Sequence, residues 1–254
     1  MFTSYFDASI GKKEGVTIVA GWLSTIAEWE QFDIDWRLLL ARYNIPYFHM
    51  KDFAHSTGAF QDWKGREIKR ANFLKKAVGA IKDRVRYGVS MMIEHGTFAE
   101  VNLLYQLSEN FGNPYSLAGR HCVAEVHKWL KENGYGSPVV KYVFEDGDEG
   151  KGELIKLMER SEKPLPIFEP SRDRETKSGV LPGRRPLQAA DFAAYELLKS
   201  FKIGEYAPLY MHRESLKALA RIPKSWRKQT KSKMIVMCKE MDIPARSSLV
   251  APDS

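Results

Sequence analysis

The chain has 254 residues, 44% of them apolar, with only two cysteines, Cys122 and Cys238, which is enough apolar matter for one large domain or two small ones and excludes collagen, coiled coil, wholesale disorder and a disulfide framework. No apolar run reaches about 18 residues, so no membrane-spanning helix is expected, and Asp7 falls where a signal peptide would need its apolar stretch. Lys and Arg number 39 against 32 acids, a net +7, and a cytoplasmic chain with no membrane partner is expected.

Residues 3–8, TSYFDA, and 16–23, VTIVAGWL, flank a Gly-bounded turn and predict a β-hairpin. The near-continuous apolar run of the second piece predicts a strand covered on both faces. Ser24 and Thr25 then precede a stretch in which Trp29, Phe32, Trp36, Leu39, Leu40 and Tyr43 recur at helical spacing. This predicts an amphipathic helix ending before Asn44-Ile45-Pro46. YFHMKDF (47–53) reads as a short strand or extended piece, followed by a loop around Gly58 and a basic helix over 64–85. Residues 86–93 predict a strand, 97–133 helix in two pieces broken near Gly112-Asn113-Pro114, 139–144 a strand, and 152–160 a short helix. Residues 165–168 read as the last strand and 169–186 as a flexible loop. Residues 187–202 read as an alanine-rich helix, and the tail as further helix with a frayed end.

Basic charge gathers in two places. Residues 64–86 hold nine Lys or Arg, Lys69, Arg70 and Lys76 among them, against two acids. Residues 217–233 hold seven, including Lys224, Arg227 and Lys228, and no acid. Such clusters suit a polyanion, although a charge run is also what a solvated helix face looks like.

The familiar phosphate loops, the nucleophile elbow and zinc spacings are absent, and Leu157 stands where a calcium loop beginning at Asp146 would need its bidentate Glu. What remains is a set of acids at the ends of apolar elements. Asp7 closes Tyr5-Phe6, Glu145 and Asp146 follow VVKYVF, and Asp191 sits inside LQAADFAAYELL. Gln188, Asp191 and Tyr195 share one helix face, and the neighbouring alanines allow close approach to a sheet. If the strands ending at Asp7 and near Glu145 are parallel neighbours, both acids emerge at one carboxyl edge, where open α/β sheets place their chemistry. Carboxylates gathered there repel one another unless divalent cations neutralise them, and hard oxygen donors point to magnesium or manganese.

The phrases YFDAS, TIVAGWL, FHMKDF, VFEDGDEGKGEL and above all PLQAADFAAYE resemble the bacterial and phage family called domain of unknown function 3800, over residues of about 3 to 200. That family is similar to the RNase H-like nucleases and integrases. The resemblance implies an α/β fold with an RNase H-like mixed sheet, a hairpin start followed by parallel strands, and flanking helices. It implies a domain over 1–202 with a helical insertion near 97–135, and a basic helical extension over 203–254. It also implies acids on the first strand, at the end of the fourth strand and on the last core helix, matched here by Asp7, Glu145 and Asp191. One departure stands at Ala8, where many members carry a second acid; Asp146 or Asp148 is expected to compensate.

The expected activity is metal-dependent hydrolysis of nucleic-acid phosphodiesters. Asp7, Glu145, Asp191 and Asp146 are expected to hold one or two Mg2+ or Mn2+ ions, with no organic cofactor. His49 is expected to relay protons or hold a phosphate, and Ser9 and Gln188 to orient ligands from behind. Asp52 reads as a helix cap. Lys69, Arg70, Lys76, Lys151, Arg184, Arg185, Lys224, Arg227 and Lys228 are expected to line a DNA or RNA backbone. The competing reading is a catalytically weak or inactive nucleic-acid-binding or interaction module of a mobile-element or defence system. Hydrolysis of a small phosphorylated metabolite is a second competitor. A homodimer is compatible with the sequence, and no protein partner is indicated.

Overall fold

The structure is a computed structural model, describing residues 1–161, 163–177, 179–203 and 213–246. The elements run β1 (Phe2–Gly11), β2 (Val16–Thr25), α1 (Ile26–Tyr43), α2 (Met50–His55), a 3-10 turn (Gly58–Trp63), α3 (Glu67–Arg84) and β3 (Tyr87–Glu94). There follow α4 (His95–Tyr105), α5 (Leu107–Phe111), α6 (Pro114–Glu132), β4 (Val140–Glu145), α7 (Lys151–Arg160) and β5 (Ile167–Glu169). The chain continues with β6 (Arg174–Thr176), β7 (Gly179–Leu181), α8 (Arg185–Ile203), α9 (Glu214–Leu219), β8 (Lys224–Gln229) and α10 (Lys231–Glu240).

Among the described residues six strands form one sheet in the order β5-β4-β1-β2-β3-β8. β1 and β2 form the antiparallel hairpin, with Phe6 opposite Gly21, and β3 continues antiparallel to β2. β4 lies parallel to β1, β5 parallel to β4, and β8 parallel to β3. The architecture is α/β with a mixed sheet of antiparallel hairpin then parallel strands. Helices cover both faces. One core packs α1, α2, α3, α8 and α9 on the sheet, and the other packs α4, α5, α6, α7 and α10. β2 is buried along nearly its whole length, as a strand covered on both sides must be. Among the described residues no helix is long and apolar enough to cross a membrane.

Local signals place most elements. Thr25 caps α1, its hydroxyl accepting from the Glu28 N–H, and Asn44 ends that helix in the left-handed conformation. Four expectations need correction. Residues 50–55 are helix, because the carboxylate of Asp191 accepts the Met50 N–H and gives the helix start a partner that no local residue supplies. The insertion is three helices, since Gln106 adopts a left-handed φ of 52° and ends α4 early. The loop after β5 contains the β6–β7 hairpin. Residues 224–229, read as helix, are a strand whose backbone pairs with the otherwise open edge of β3, so β5 is not the last strand of the sheet.

Candidate active site

β1 and β4 run in parallel as far as Phe6 beside Phe144, so Asp7 and Glu145 both lie just past the end of that pairing; Glu145 ends β4, whereas Asp7, expected near the end of its strand, stands mid-strand because β1 continues to Gly11 against β2. Alternation fixes their direction. Phe6 and Phe144 fill the core under α6, while Tyr5, two residues before Asp7, packs toward α8. Asp7 and Glu145 therefore face α8 as well. That helix lies close on the sheet because Ala189, Ala190, Ala193 and Ala194 are buried at the contact, and Trp22 Nε1–H donates to Ala189 O at 2.9 Å. Its second turn brings Asp191 to the same edge.

The carboxylates are crowded and uncompensated. Burial pushes Asp7 well up, and Asp191, Asp148 and Glu145 push it further, against one 2.8 Å bond from the Ala8 N–H. Burial raises Glu145 to about 7 and Asp148 to about 6. Burial also raises Asp191 to about 6, against the positive influence of His49 and the bond from the Met50 N–H. Glu145 Oε2 and Asp148 Oδ2 are buried without a hydrogen-bond partner. Among the described residues none of these four carboxylates forms an ion pair.

Asp146 is different. Lys151 Nζ and Arg174 Nη1 reach its two carboxylate oxygens at 2.9 and 2.8 Å, and these bonds hold it below the ordinary carboxylate range. Its charge is already met. Asp148, two residues on, is the acid of this turn that turns inward. The sequence gives both the same acidic turn, and only their cationic neighbours separate them.

A relay stands behind the cluster. Ser171 N–H and Oγ–H donate to Glu145 Oε1 at 3.1 and 3.2 Å. Gln188 Nε2–H donates to Ser171 O at 2.7 Å, while Gln188 Oε1 accepts from Trp36 Nε1 and from the Phe48 N–H at 2.8 and 3.0 Å. Gln188 thus acts on Glu145 through Ser171, a residue that no motif or spacing marks. Tyr115 is a second residue without a sequence signal. Its hydroxyl is buried without a partner, and burial together with Asp148 and Asp7 pushes its pKa up. Ser9 faces the same side as Asp7 but makes no side-chain hydrogen bond among the described residues.

His49 precedes α2, with Nδ1 3.0 Å from Asp52 Oδ2. It lines a cavity of about 110 Å3 with Tyr47, Glu145, Ser171 and Arg172. Asp52 lies inside the first turn of α2 rather than at its cap, and its Oδ1 accepts from Thr57 Oγ1 at 3.1 Å. Burial raises Asp52, but its bonds to His49 and Thr57 and the charge of Arg172 outweigh that and hold it low.

The cations expected on a nucleic-acid backbone are mostly engaged within the chain. Arg184 grips Glu169 with two bonds, Arg185 grips Asp33, Arg227 reaches Glu125, and Lys228 reaches Glu94. Arg70 is the clearest correction. Its guanidinium donates to Phe53 O and Ser56 Oγ and lies on the Phe53 ring, so it ties α3 to the end of α2. Lys69 sits over Trp63, and Lys224 bonds Ala220 O beside Trp226. Lys151 spends its charge on Asp146 over the Phe168 ring. Lys76 is exposed on α3.

A hard divalent cation fits the donor chemistry. The oxygens are carboxylate, two of them are buried without partners, and the acids raise one another. Among the described residues, no three His, Cys, Asp or Glu side chains stand as a ready-made set around one point. No family model matches the chain, and neither a curated protein nor a solved structure does.

Proposed function

We propose that the chain is a metal-dependent, RNase H-like nuclease whose centre is the carboxylate group where the pairing of β1 and β4 ends. The observation that carries this reading is the convergence of Asp191, which is buried, with Asp7, Glu145 and Asp148, which are half-buried, from three parts of the chain and without cationic partners. Crowding unpaired carboxylates away from water is unfavourable unless the charge is met by something the chain does not itself provide.

Asp7, Glu145 and Asp191 are the residues that would hold Mg2+ or Mn2+, with Asp148 taking the place first given to Asp146. The bound ions would supply activation of water and neutralisation of charge at a phosphodiester. Ser171 orients Glu145 and Gln188 fixes Ser171, so the carboxylate at the end of β4 is held before any ligand arrives. The Met50 N–H fixes one oxygen of Asp191 and leaves the other for the site. His49 lines the adjoining cavity, where its imidazole can accept or deliver a proton.

The test is titration of manganese into wild type and Asp191→Asn by calorimetry, with cleavage of labelled DNA and RNA by the same samples. Binding and cleavage by wild type, both lost in the variant, support the proposal. No heat at millimolar manganese overturns it and favours the non-catalytic binding module.

A further inference from the structure

We propose that Arg172 is the anchor that seats a substrate phosphate beside Glu145, its guanidinium held over the ring of Tyr47. This rests on the nucleic-acid reading above. The guanidinium carbon lies 4.9 Å from the Tyr47 ring centroid, and both residues line the small cavity shared with Glu145, His49 and Ser171.

Arg172 stands apart from the other cations around the carboxyl edge. Lys151 and Arg174 are spent on Asp146, Arg184 on Glu169, and Arg185 on Asp33. Arg172 is exposed and forms no hydrogen bond or ion pair among the described residues. Its charge helps hold Asp52 low, but the oxygens of Asp52 already serve His49 and Thr57. A guanidinium stacked on an aromatic ring keeps its edge N–H groups free in a planar fork, the geometry that matches two phosphate oxygens.

The position is also fixed from behind. A Cβ on Gly183 would stand 2.4 Å from Arg172 Cα, so the returning strand of the hairpin loop packs directly on the Arg172 backbone. Gly183 N–H donates to Asp173 Oδ1 at 2.8 Å, and Ser171, the preceding residue, is bonded to Glu145. One short segment therefore carries both the residue that orients a carboxylate and the one free guanidinium among the described cations just named. The cavity of about 110 Å3 has the scale of a phosphoryl group rather than of a nucleoside.

The experiment is fluorescence anisotropy of a labelled single-stranded oligonucleotide over a range of salt, in EDTA and again with Ca2+, with inorganic phosphate as competitor. Arg172→Ala should weaken binding on the order of 10-fold and lower the log–log salt slope by about 1, as expected for one lost phosphate contact. Arg172→Lys should restore the slope but not the affinity, because it keeps the charge and loses the fork. Phosphate should displace the oligonucleotide from wild type at lower concentration than from Arg172→Ala. Unchanged affinity and slope in Arg172→Ala, or a wild type with no affinity for either probe, overturns the proposal. Failure of the nuclease reading shows separately, as absent manganese binding or cleavage, while the anisotropy in EDTA still reports on Arg172.

Discussion

Ser171 donates both its N–H and its hydroxyl to one oxygen of Glu145, Oε1, and leaves Oε2 buried and unpartnered. The carboxylate is thus oriented but not neutralised. Removing the hydroxyl keeps the backbone bond and loosens the side chain. Ser171→Ala should weaken manganese binding by roughly 3- to 10-fold, the effect of one bond of about 0.5–1.5 kcal/mol. Calorimetry on the folded variant checks this, and an unchanged affinity would show that Glu145 is not a ligand.

Gln188 is a structural keystone as well as part of the relay. Gln188→Leu leaves Trp36 Nε1–H and the Phe48 N–H without an acceptor in the core. The loss should be on the order of 2–3 kcal/mol, read as a fall in the urea midpoint. Gln188→Glu keeps the acceptor but loses the donor to Ser171, and should damage cleavage more than stability.

Asp146 and Asp148 should separate cleanly. Asp148→Asn removes a buried unpaired charge, so at neutral pH the protein without metal should gain roughly 1–3 kcal/mol while manganese binding falls. Asp146→Asn frees Lys151 and Arg174 and should lower stability slightly. Paired urea and calorimetric titrations decide between them.

The acid cluster also sets a pH dependence. Glu145, Asp148 and Asp191 sit at about 7, 6 and 6 in the fold, above the values of about 4 expected in the unfolded chain. The folded state then holds more protons over that interval, so stability is fullest below the unfolded values and is lost as pH rises through the folded ones. Without divalent metal, the urea midpoint should fall between about pH 5 and pH 8. Saturating Mg2+ should flatten the fall by binding the ionised form, and a midpoint that rises over this window would contradict the assignment.

Gly183→Ala tests the loop behind the site. Its methyl would meet the Arg172 backbone, and the displacement reaches Ser171 next to it. Cleavage and oligonucleotide affinity should both fall, and the melting temperature should fall as well, since the methyl would stand within 2.6 Å of three backbone atoms of Arg172.

Local chemistry made much of the fold legible. The hairpin, α1 and α8 follow from apolar periodicity and from turn and cap residues that act within a few positions. The end of β4 at Glu145 and the inward face of α8 at Asp191 could be read the same way, because strand alternation and helix spacing are properties of neighbours in sequence, but Asp7 stands mid-strand because β1 runs on to Gly11 against β2. Their gathering depended on β1 and β4 being parallel partners, which the structure supplies.

What the chain alone did not decide was who meets whom. Asp146 and Asp148 differ through Lys151 and Arg174, one of them 28 positions from its partner. Arg70 and Arg184 look like any exposed cation until Phe53 and Glu169 are seen beside them. Residues 224–229 become a strand because β3 offers an open edge, and α2 begins because Asp191 accepts its first N–H. Ser171 and Arg172 lie in a stretch whose composition signals only a loop. Charge pairing, burial and edge pairing depend on distances in space, so sequence by itself determined which groups were available, and tertiary structure decided which were satisfied and which were left for a ligand.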